Sequence, residues 1–399
     1  MAADRKPASL GALLAAASAL PIAIHAVDTR AQVFADELVP GVLPAEAAIG
    51  VRSLWYKETG ERMTVREPVG WFRSPVGETW ELSGSATLDT VSGASATQVS
   101  NGSGTPVQIR SGASITERRT ASEWKVRRKF GEHSLALSRA VSNEKDYQSR
   151  AWGATATLDF NDRNTTLTLA GGQAGDRIGS TDDPSLDKRR RTRELLVGIT
   201  QLLDRHALVQ SNLQATRGSG YFSDPYRSTL SFYRDGRFPP LVRLVDARPD
   251  TRDQLAWLTR FKRNFSAAAG VFSGEYRYFR DSWGIRAHTF SAAWLQSLGS
   301  TWKVEPALRF HSQGRADFYR TEITERPAPA ITSSDQRLAA FGALEPSVRL
   351  VMKLTPGAEI DLSIGHYRQQ GNWRLGGRGS PHFEPLAARL INAGFVQRF

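Results

Sequence analysis

The stretch Leu386–Phe399, Leu-Ala-Ala-Arg-Leu-Ile-Asn-Ala-Gly-Phe-Val-Gln-Arg-Phe, ends the chain. One set of its alternate positions is mostly apolar and holds Ile391, Ala393, Phe395, Gln397 and Phe399. The other set mixes polar and apolar residues. Side chains alternate between the two faces of a β-strand. The stretch is therefore predicted to be a strand with one apolar face, ending on an aromatic residue.

A chain that ends on an aromatic residue in such a strand resembles the closing strand of a bacterial outer-membrane β-barrel. In those proteins the last residues are read by the barrel-insertion machinery. The resemblance therefore implies that Phe395 and Phe399 form an insertion signal. Gln397 departs from the pattern, which usually has an apolar residue at that position. A soluble exported β-protein is the structural alternative.

The composition is compatible with a barrel and not with a bundle of membrane helices. Of 399 residues, 40% are hydrophobic, and the mean hydropathy is −0.38. A helical membrane protein needs about 20 apolar residues for each span, whereas half of each barrel strand faces a wet interior. Because the chain has no Cys, it has no disulfide framework, thiol nucleophile or thiolate metal site.

The net charge of +12 indicates anionic partners such as lipid phosphates, acidic solutes or nucleic acid. The sequence shows no nucleic-acid recognition pattern, so nucleic acid is not expected. No two histidines have helical zinc spacing, and no Gly-x-Ser-x-Gly elbow or nucleophile with a base is found. We therefore expect no catalytic site, no metal and no cofactor.

The N-terminus has the layout of a secretory signal peptide. Arg5 and Lys6 precede the apolar run Leu10–Ile24, and Ala26 stands at a plausible cleavage position. Pro21 interrupts the run, which is short for a membrane anchor. We expect a signal peptide over residues 1–26, a periplasmic lead-in over 27–48, and a barrel over 49–399.

The body of the chain alternates with a period of two. In Thr79–Asp89 the even positions, from Trp80 to Leu88, are mostly apolar, while the odd positions are polar. Tyr147–Phe160 and Thr301–Ser312 repeat this pattern, which is typical of strands with one polar face. Together with the closing strand, these segments predict an all-β, antiparallel transmembrane barrel of about 16 strands.

The connections also alternate in length, as in outer-membrane barrels, which have short periplasmic turns and long extracellular loops. Short turns are predicted at 74–77, 131–132, 161–163, 204–206, 262–264, 297–300 and 355–357. Between them lie mostly longer polar segments: Thr90–Glu117, Gln173–Arg189, Gly218–Asp250, Gly314–Ser334 and Gln370–Pro385. The segment Gly218–Asp250 is long enough to fold inward and block the lumen, so the sequence leaves open whether the lumen is free.

Charges on the polar strand faces are predicted to line the lumen, because an Arg or Lys that faces lipid costs roughly 2–4 kcal/mol at mid-depth. These positions are Glu81, Lys125, Arg127, Glu275, Arg277, Lys303, Glu305, Arg309, Glu345, Arg349 and Asp361.

Several segments resemble an uncharacterised family of outer-membrane barrels in Gram-negative bacteria, DUF3570. These segments are Val91–Ser95, Gly220–Tyr226, Arg248–Gln254, Tyr276–His288, Ser334–Leu338 and Asn372–Gly377. The resemblance covers nearly all of the mature chain and implies a barrel of unknown role in the outer membrane. It also implies a link to a small lipoprotein and a flavin-attaching enzyme of an envelope redox assembly.

The same segments supply candidates for the extracellular mouth: Arg252, Asp253, Arg280, Asp281, Arg286, His288, Asp335, Arg337, Trp373 and Arg374. We predict a ring of these charges. The ring would be either a salt-bridge network that fixes loops over the mouth or an anion-attracting vestibule that could also dock a partner.

Three functions are compatible with the sequence. The first is a pore for small anionic solutes, and the second is a scaffold or sheath that docks a partner lipoprotein. The third is a rim enzyme, which is the least supported because no catalytic constellation is found. Expected partners in every case are outer-membrane lipid, lipopolysaccharide and the insertion machinery.

Overall fold

The computed structural model describes residues 46–60, 63–93, 97–100, 107–110, 115–232, 241–323 and 327–399. The predicted signal peptide (1–26) and nearly all of the predicted lead-in (27–48) lie outside these residues. Within the described ranges, no helix is both long enough and apolar enough to cross a membrane.

Twenty-one strands occur in the described part of the chain. Their bounds are β1 Ala48–Glu58, β2 Met63–Val76, β3 Trp80–Gly93, β4 Thr97–Ser100, β5 Val107–Arg110, β6 Ile115–Phe130, β7 His133–Asn143, β8 Tyr147–Phe160, β9 Thr165–Ile178, β10 Lys188–Asp204, β11 Ala207–Gly220, β12 Ser228–Phe232, β13 Leu241–Val245, β14 Thr251–Phe265, β15 Gly270–Asp281, β16 Arg286–Leu298, β17 Trp302–Gln313, β18 Glu322–Ile323, β19 Phe341–Lys353, β20 Ala358–Gln370 and β21 Leu386–Arg398.

Sixteen of these strands close into one antiparallel barrel, in which neighbours in the chain are neighbours in the sheet. The barrel strands are β1–β3, β6–β11, β14–β17 and β19–β21. The closing seam pairs β1 with β21 from Ala48 opposite Arg398 to Glu58 opposite Ala388. The predicted fold and strand number are thus confirmed, and the C-terminal stretch is the closing strand.

The alternation seen in the sequence sorts side chains between the two faces of the wall. On β10, Leu195, Val197 and Ile199 face outward and are 69%, 52% and 47% exposed. On β3, Glu81 and Asp89 face inward and are buried. A closed barrel with an apolar outer wall satisfies its backbone groups within the sheet, as a membrane requires. The chain is therefore a membrane-spanning barrel.

The two ends of the barrel differ. The start of β1, the end of β21 and seven short connections lie at one end, which we call the turn end: 77–79, 131–132, 161–164, 205–206, 266–269, 299–301 and 354–357. We call the other end, where the longer segments lie, the loop end. One turn was predicted in the wrong place: 262–264 belong to β14, and the chain reverses at 266–269 through a 3₁₀ turn, Ser266–Ala268.

Several strands extend further at the loop end than their polar sequences suggested. The segment Gln173–Arg189 was predicted to be a loop, but β9 continues to Ile178 and β10 begins at Lys188. Pairing on both sides, with β8 and with β10, keeps these polar residues in the sheet. Tertiary pairing overrides weak strand propensity at such positions.

Candidate functional site: the lumen and its lid

The described residues of two segments, 221–232 with 241–250 and 314–323 with 327–340, lie at the loop end and join into one unit, which we call the lid. Strand β12 of the first segment pairs antiparallel with β13 and parallel with β18 of the second segment. The backbones of Ala247 and Thr332 exchange two hydrogen bonds, of 2.9 and 2.8 Å. Two loops far apart in sequence are therefore held as a single small sheet.

A buried carboxylate, Asp335, lies at the centre of the lid. Its Oδ2 accepts a hydrogen bond from Arg248 Nη2 at 2.8 Å and from Arg337 Nε at 2.6 Å. The Nε of Arg227 lies 3.6 Å from the same oxygen. The side chain of Asp335 is 0% exposed, so its charge is balanced by these guanidinium groups and not by water.

Two further carboxylates complete the network. Asp224 Oδ2 lies 3.2 Å from Arg227 Nε and 3.0 Å from Arg337 Nη2. Asp246 Oδ2 accepts from Arg248 Nε at 2.8 Å and from the backbone N–H of Asp224 at 2.7 Å. The buried network of the lid thus consists of three arginines and three aspartates, whose formal charges cancel.

Burial acts differently on two of these carboxylates. Burial raises the pKa of Asp246 above its ordinary value of 3.8, although Arg248 opposes this effect. Burial would also raise the pKa of Asp335, but the charges of Arg227, Arg337 and Arg248 hold it well below 3.8. Asp335 is therefore the firmly ionised centre of the lid.

The lid packs into the mouth of the barrel through apolar contacts. Phe279 and Ala287, which face inward on β15 and β16, belong to one buried cluster with the lid residues Ala316, Phe318, Tyr319, Leu338 and Ala339. Trp283, in the short connection between β15 and β16, contacts Phe222 and Phe318 edge to face. The described parts of the two lid segments therefore cover the mouth together, and the first segment does not do so alone.

The loop half of the lumen is filled. A second buried apolar cluster joins the inward faces of β1–β3 and β19–β21, and Phe383 stacks on Phe341 at its edge. Each of the sixteen barrel strands contributes a buried inward side chain in this half: Leu54, Val65, Asp89, Arg119, Ser142, Ser149, Asp176, Arg190, Gln214, Arg252, Phe279, Thr289, Gln313, Ala343, Tyr367 and Leu390.

The turn half of the lumen is more exposed and is lined by ion pairs. Arg127 lies 3.6 Å from Glu81, and their side chains are 24% and 4% exposed. Arg349 lies 3.5 Å from Asp361, with exposures of 22% and 8%. In both pairs the cation is the partner that water reaches.

Three more pairs lie in the turn half. Lys303 and Arg398 both approach Glu359, at 3.9 and 3.4 Å, with side chains 45% and 41% exposed against 25% for the carboxylate. Arg260 and Glu275, 2.7 Å apart, are equally exposed. All eleven residues predicted to line the lumen lie at inward positions of their strands.

The predicted ring at the mouth is divided by the strand alternation. Arg252 faces inward, contacts Asp281 at 2.6 Å and lies over the Trp283 ring at 4.2 Å. Asp281 also accepts hydrogen bonds from the backbone N–H groups of Trp283 and Ile285. These residues fix the connection 282–285, and Asp335 and Arg337 belong to the lid network.

The remaining charged candidates face away from the lumen, so the prediction of one ring is wrong. Asp253, Arg280, Arg286 and His288 occupy outward positions because each is one residue out of phase with the inward set. His288 packs against Tyr276 and Tyr278 on the outer wall. Neighbours in the sequence of a strand lie on opposite faces. The prediction grouped the charged residues without assigning each one to the inner or the outer face of the wall.

The last two candidates lie in the segment 371–385, whose residues 373–375 pack against the outer wall. The backbone of Trp373 covers the outward side of Gly342. The backbone N–H of Leu375, two residues further along, donates to Ser312 Oγ at 2.9 Å. Arg374 shares a groove of about 550 Å³ with Arg286 and His288. These residues therefore meet, but outside the barrel.

Four residues of the lid network were not predicted: Asp224, Arg227, Asp246 and Arg248. Asp224 and Arg248 lie in two of the segments that resemble the family, Gly220–Tyr226 and Arg248–Gln254. The two Arg and two Asp within Arg248–Gln254 are the available signal for ion pairing. In the described part of the chain, no three His, Asp or Glu side chains are grouped so that they could hold a metal ion.

A family model described as "Protein of unknown function (DUF3570)" matches residues 10–186 and 180–390. The chain belongs to this family. No curated protein matches the chain.

Solved structures of other barrels are similar to the chain in fold at very low identity. The "Bacterial polysaccharide outer membrane secretin" is 9% identical with a TM-score of 0.49, over 90% of this chain and 100% of that one. CdiB from Acinetobacter baumannii is 7% identical with a TM-score of 0.49, over 88% and 60%. OpdK of Pseudomonas aeruginosa, solved with vanillate, is 10% identical with a TM-score of 0.42, over 89% and 98%.

Proposed function

We propose that this DUF3570 member is a channel of the Gram-negative outer membrane for small anionic solutes, and that its lid closes the extracellular mouth. In this proposal the turn end faces the periplasm, as in barrels with short periplasmic turns. Solutes would reach the turn half of the lumen from the periplasm at all times. They would cross the loop half only when the lid is displaced.

The observation that supports an anionic solute is the asymmetry of four ion pairs in the turn half. In the pairs formed by Arg127, Arg349, Lys303 and Arg398, the cation is more exposed than its carboxylate. The carboxylates thus hold the cations in place while the cations face the water. A lumen with a surface of this sign concentrates anions and repels cations.

Conductance in planar bilayers tests the proposal. We expect small or rare steps for the wild type and large, anion-selective steps for a lidless barrel, in which residues 222–249 and 315–339 are each replaced by a short Gly-Ser linker. Both linkers are geometrically feasible, because the backbone N–H of Gly220 donates to Asp250 O at 2.7 Å and Gln313 lies opposite Phe341 in the barrel sheet. An inserted lidless barrel that gives no steps, or steps selective for cations, would refute the channel.

Charge reversal tests the selectivity separately. In the lidless barrel, Arg127→Glu with Lys303→Glu is expected to shift the reversal potential in a salt gradient towards cation selectivity. Arg163→Glu is the control. It makes the same Arg-to-Glu charge reversal in the exposed turn 161–164, outside the lumen. An equal shift in the control would show that the lumen cations do not set the selectivity.

A docking scaffold is the second candidate, and the filled loop half of the lumen favours it. A barrel that is packed at one end and accessible at the other is a cup that could hold a segment of a periplasmic partner, such as the lipoprotein that the family resemblance implies. Two results together would favour this function over the channel. Lidless barrels would show no conductance, and a lipoprotein would crosslink to a photoreactive residue in place of Lys303.

A further inference from the structure

The outer wall of β8–β11 carries a dense group of arginines at the loop end, which we call the arginine patch. It consists of Arg150 on β8, Arg177 on β9, Arg189, Arg191 and Arg193 on β10, and Arg217 on β11. All six are outward positions of the barrel wall, so the patch is independent of the lumen and of the lid network.

The strand register places these residues in three adjacent rows. Gln148, Arg177 and Arg189 form the row nearest the loop end. The next row is Arg150, Gly175, Arg191 and Ser219, and the third is Trp152, Gln173, Arg193 and Arg217. Residues opposite each other on neighbouring strands lie about 5 Å apart, so like charges are held close together.

Neutralising groups are few. Asp187 pairs with Arg177 at 2.9 Å, and Asp253 lies 3.7 Å from Arg217. Arg193 Nε donates to Gln173 Oε1, a neutral acceptor, at 3.4 Å. Among the described residues, neither Arg150 nor Arg191 has an ion pair or a side-chain hydrogen bond. The six cations therefore face two carboxylates and leave an excess of positive charge.

The centre of the patch is open. Gly175 lies between Arg150 and Arg191, and a Cβ at this glycine would meet no atom within 4 Å. The surrounding groove has a volume of about 700 Å³ and is lined by Arg150, Arg177, Arg189 and Arg191, among others. A gap of this kind between guanidinium groups is suited to a phosphate, which arginine binds through paired N–H groups.

The height of the patch matches that of a lipid headgroup. Arg150 is ten residues along β8 from Phe160, an exposed aromatic at the turn end. Ten residues span roughly 33 Å of strand, or about 25 Å along the axis at a tilt near 40°. This is about the height of the apolar band of such barrels. Below the patch, the wall is apolar at Leu169, Leu195 and Leu213.

We propose that the arginine patch binds the phosphates of a phosphorylated lipid of the outer leaflet, the lipid A part of lipopolysaccharide. The acyl chains would lie on the apolar wall around Leu195, with the phosphates in the groove at Gly175. This proposal concerns the outer wall and does not depend on transport through the lumen.

Native mass spectrometry of the refolded full chain in detergent tests this site. The probes are bisphosphorylated lipid A, the same lipid with both phosphates removed, and inorganic phosphate. We expect bisphosphorylated lipid A to bind the wild type at least tenfold more tightly than either other probe. Equal binding of the lipid without phosphates would overturn the proposal, and so would equal binding of free phosphate.

The matched variants are two triple substitutions. Arg150→Gln, Arg189→Gln and Arg191→Gln remove the centre of the patch, and lipid A affinity is expected to fall at least tenfold. Arg280→Gln, Arg286→Gln and Arg368→Gln remove the same charge from exposed outward positions elsewhere on the wall and are expected to leave it unchanged. Heat-modifiable gel mobility verifies folding of both. Unchanged affinity in the first variant, or an equal loss in the second, would refute the assignment.

Discussion

Arg248 Nη2 donates a 2.8 Å hydrogen bond to Asp335 Oδ2 across 87 residues of sequence, and both side chains are buried. This contact joins the two segments of the lid. It closes a network of three arginines and three aspartates, so removal of one charge leaves the others unbalanced in a site that water does not reach.

Asp335→Asn is expected to loosen the lid and leave the barrel intact. Loss of one partner of a buried charge pair destabilises by about 3 kcal/mol, so amide protection in 241–250 should fall roughly a hundredfold, while that in β14 and β15 should not change. Hydrogen–deuterium exchange measures both regions.

Asp253→Asn is the control for that variant, because Asp253 is an aspartate at the same end of the barrel whose side chain is 59% exposed and 3.7 Å from Arg217. Exposed pairs contribute little, so lid protection should not change. Equal protection in Asp335→Asn and wild type would show that the network does not hold the lid.

The stability of the closed lid should also depend on pH, with opposite signs for two groups. The pKa of Asp335 is depressed on closure, so its contribution is complete above about pH 4 and is lost as the pH falls through the lower value. The pKa of Asp246 is raised, so its contribution is present at low pH and is lost as the pH rises through the higher value.

The closed lid should therefore be most stable near the ordinary aspartate pKa, about pH 4, and less stable at both neutral and strongly acidic pH. Protection factors corrected for intrinsic exchange test this expectation. Asp246→Asn should remove the decline towards neutral pH, and a protection factor that rises steadily from pH 4 to pH 8 in the wild type would contradict it.

The barrel itself could be predicted because its physical cause is local. In a membrane, each wall position faces either lipid or the lumen, so the sequence of every strand alternates with a period of two. Leu386–Phe399 shows this directly: the apolar set with Phe395 and Phe399 faces outward, and Asn392 and Arg398 face the lumen. The number of strands followed from the same alternation and from the alternating lengths of the connections.

The mouth could not be predicted in the same way. The partners of Asp335 come from residues 227, 248 and 337, and nothing periodic relates them. Loops are positioned by their contacts with each other and with the rim, which depend on the finished barrel. His288 and Arg286 show a second limit, because an assignment by position along the strand ignored which face each residue occupies.

The closing seam contains a glycine whose replacement should destabilise the whole barrel. Arg52 on β1 and Asp361 on β20 lie 2.9 Å apart across β21, and Gly394 lies between them. A Cβ at Gly394 would stand 2.6 Å from Asp361 Oδ1 and 3.1 Å from Arg52 Nε. Gly394→Ala should therefore separate this pair of buried charges and lower the melting temperature.

Gly365→Ala provides the control for the seam. Gly365 also faces inward, on the neighbouring strand β20, but a Cβ there would meet its nearest atom at 3.5 Å, an ordinary contact. Its melting temperature should stay within a few degrees of the wild type. If both alanine variants unfold at the same temperature on heat-modifiable gels, steric crowding at Gly394 is not important for closure.

Phe399 distinguishes stability from biogenesis. Its side chain is 67% exposed on the outer wall, and its backbone N–H donates to Ala47 O at 2.9 Å. Because replacement of the ring leaves that hydrogen bond in place, Phe399→Ser should refold in detergent with an unchanged melting temperature.

If Phe399 is an insertion signal, the same variant should accumulate several-fold less barrel in cells. Phe265→Ser, at another outward aromatic of the turn end, should not reduce accumulation. Equal cellular yields of the two variants would show that the terminal aromatic is not read during insertion.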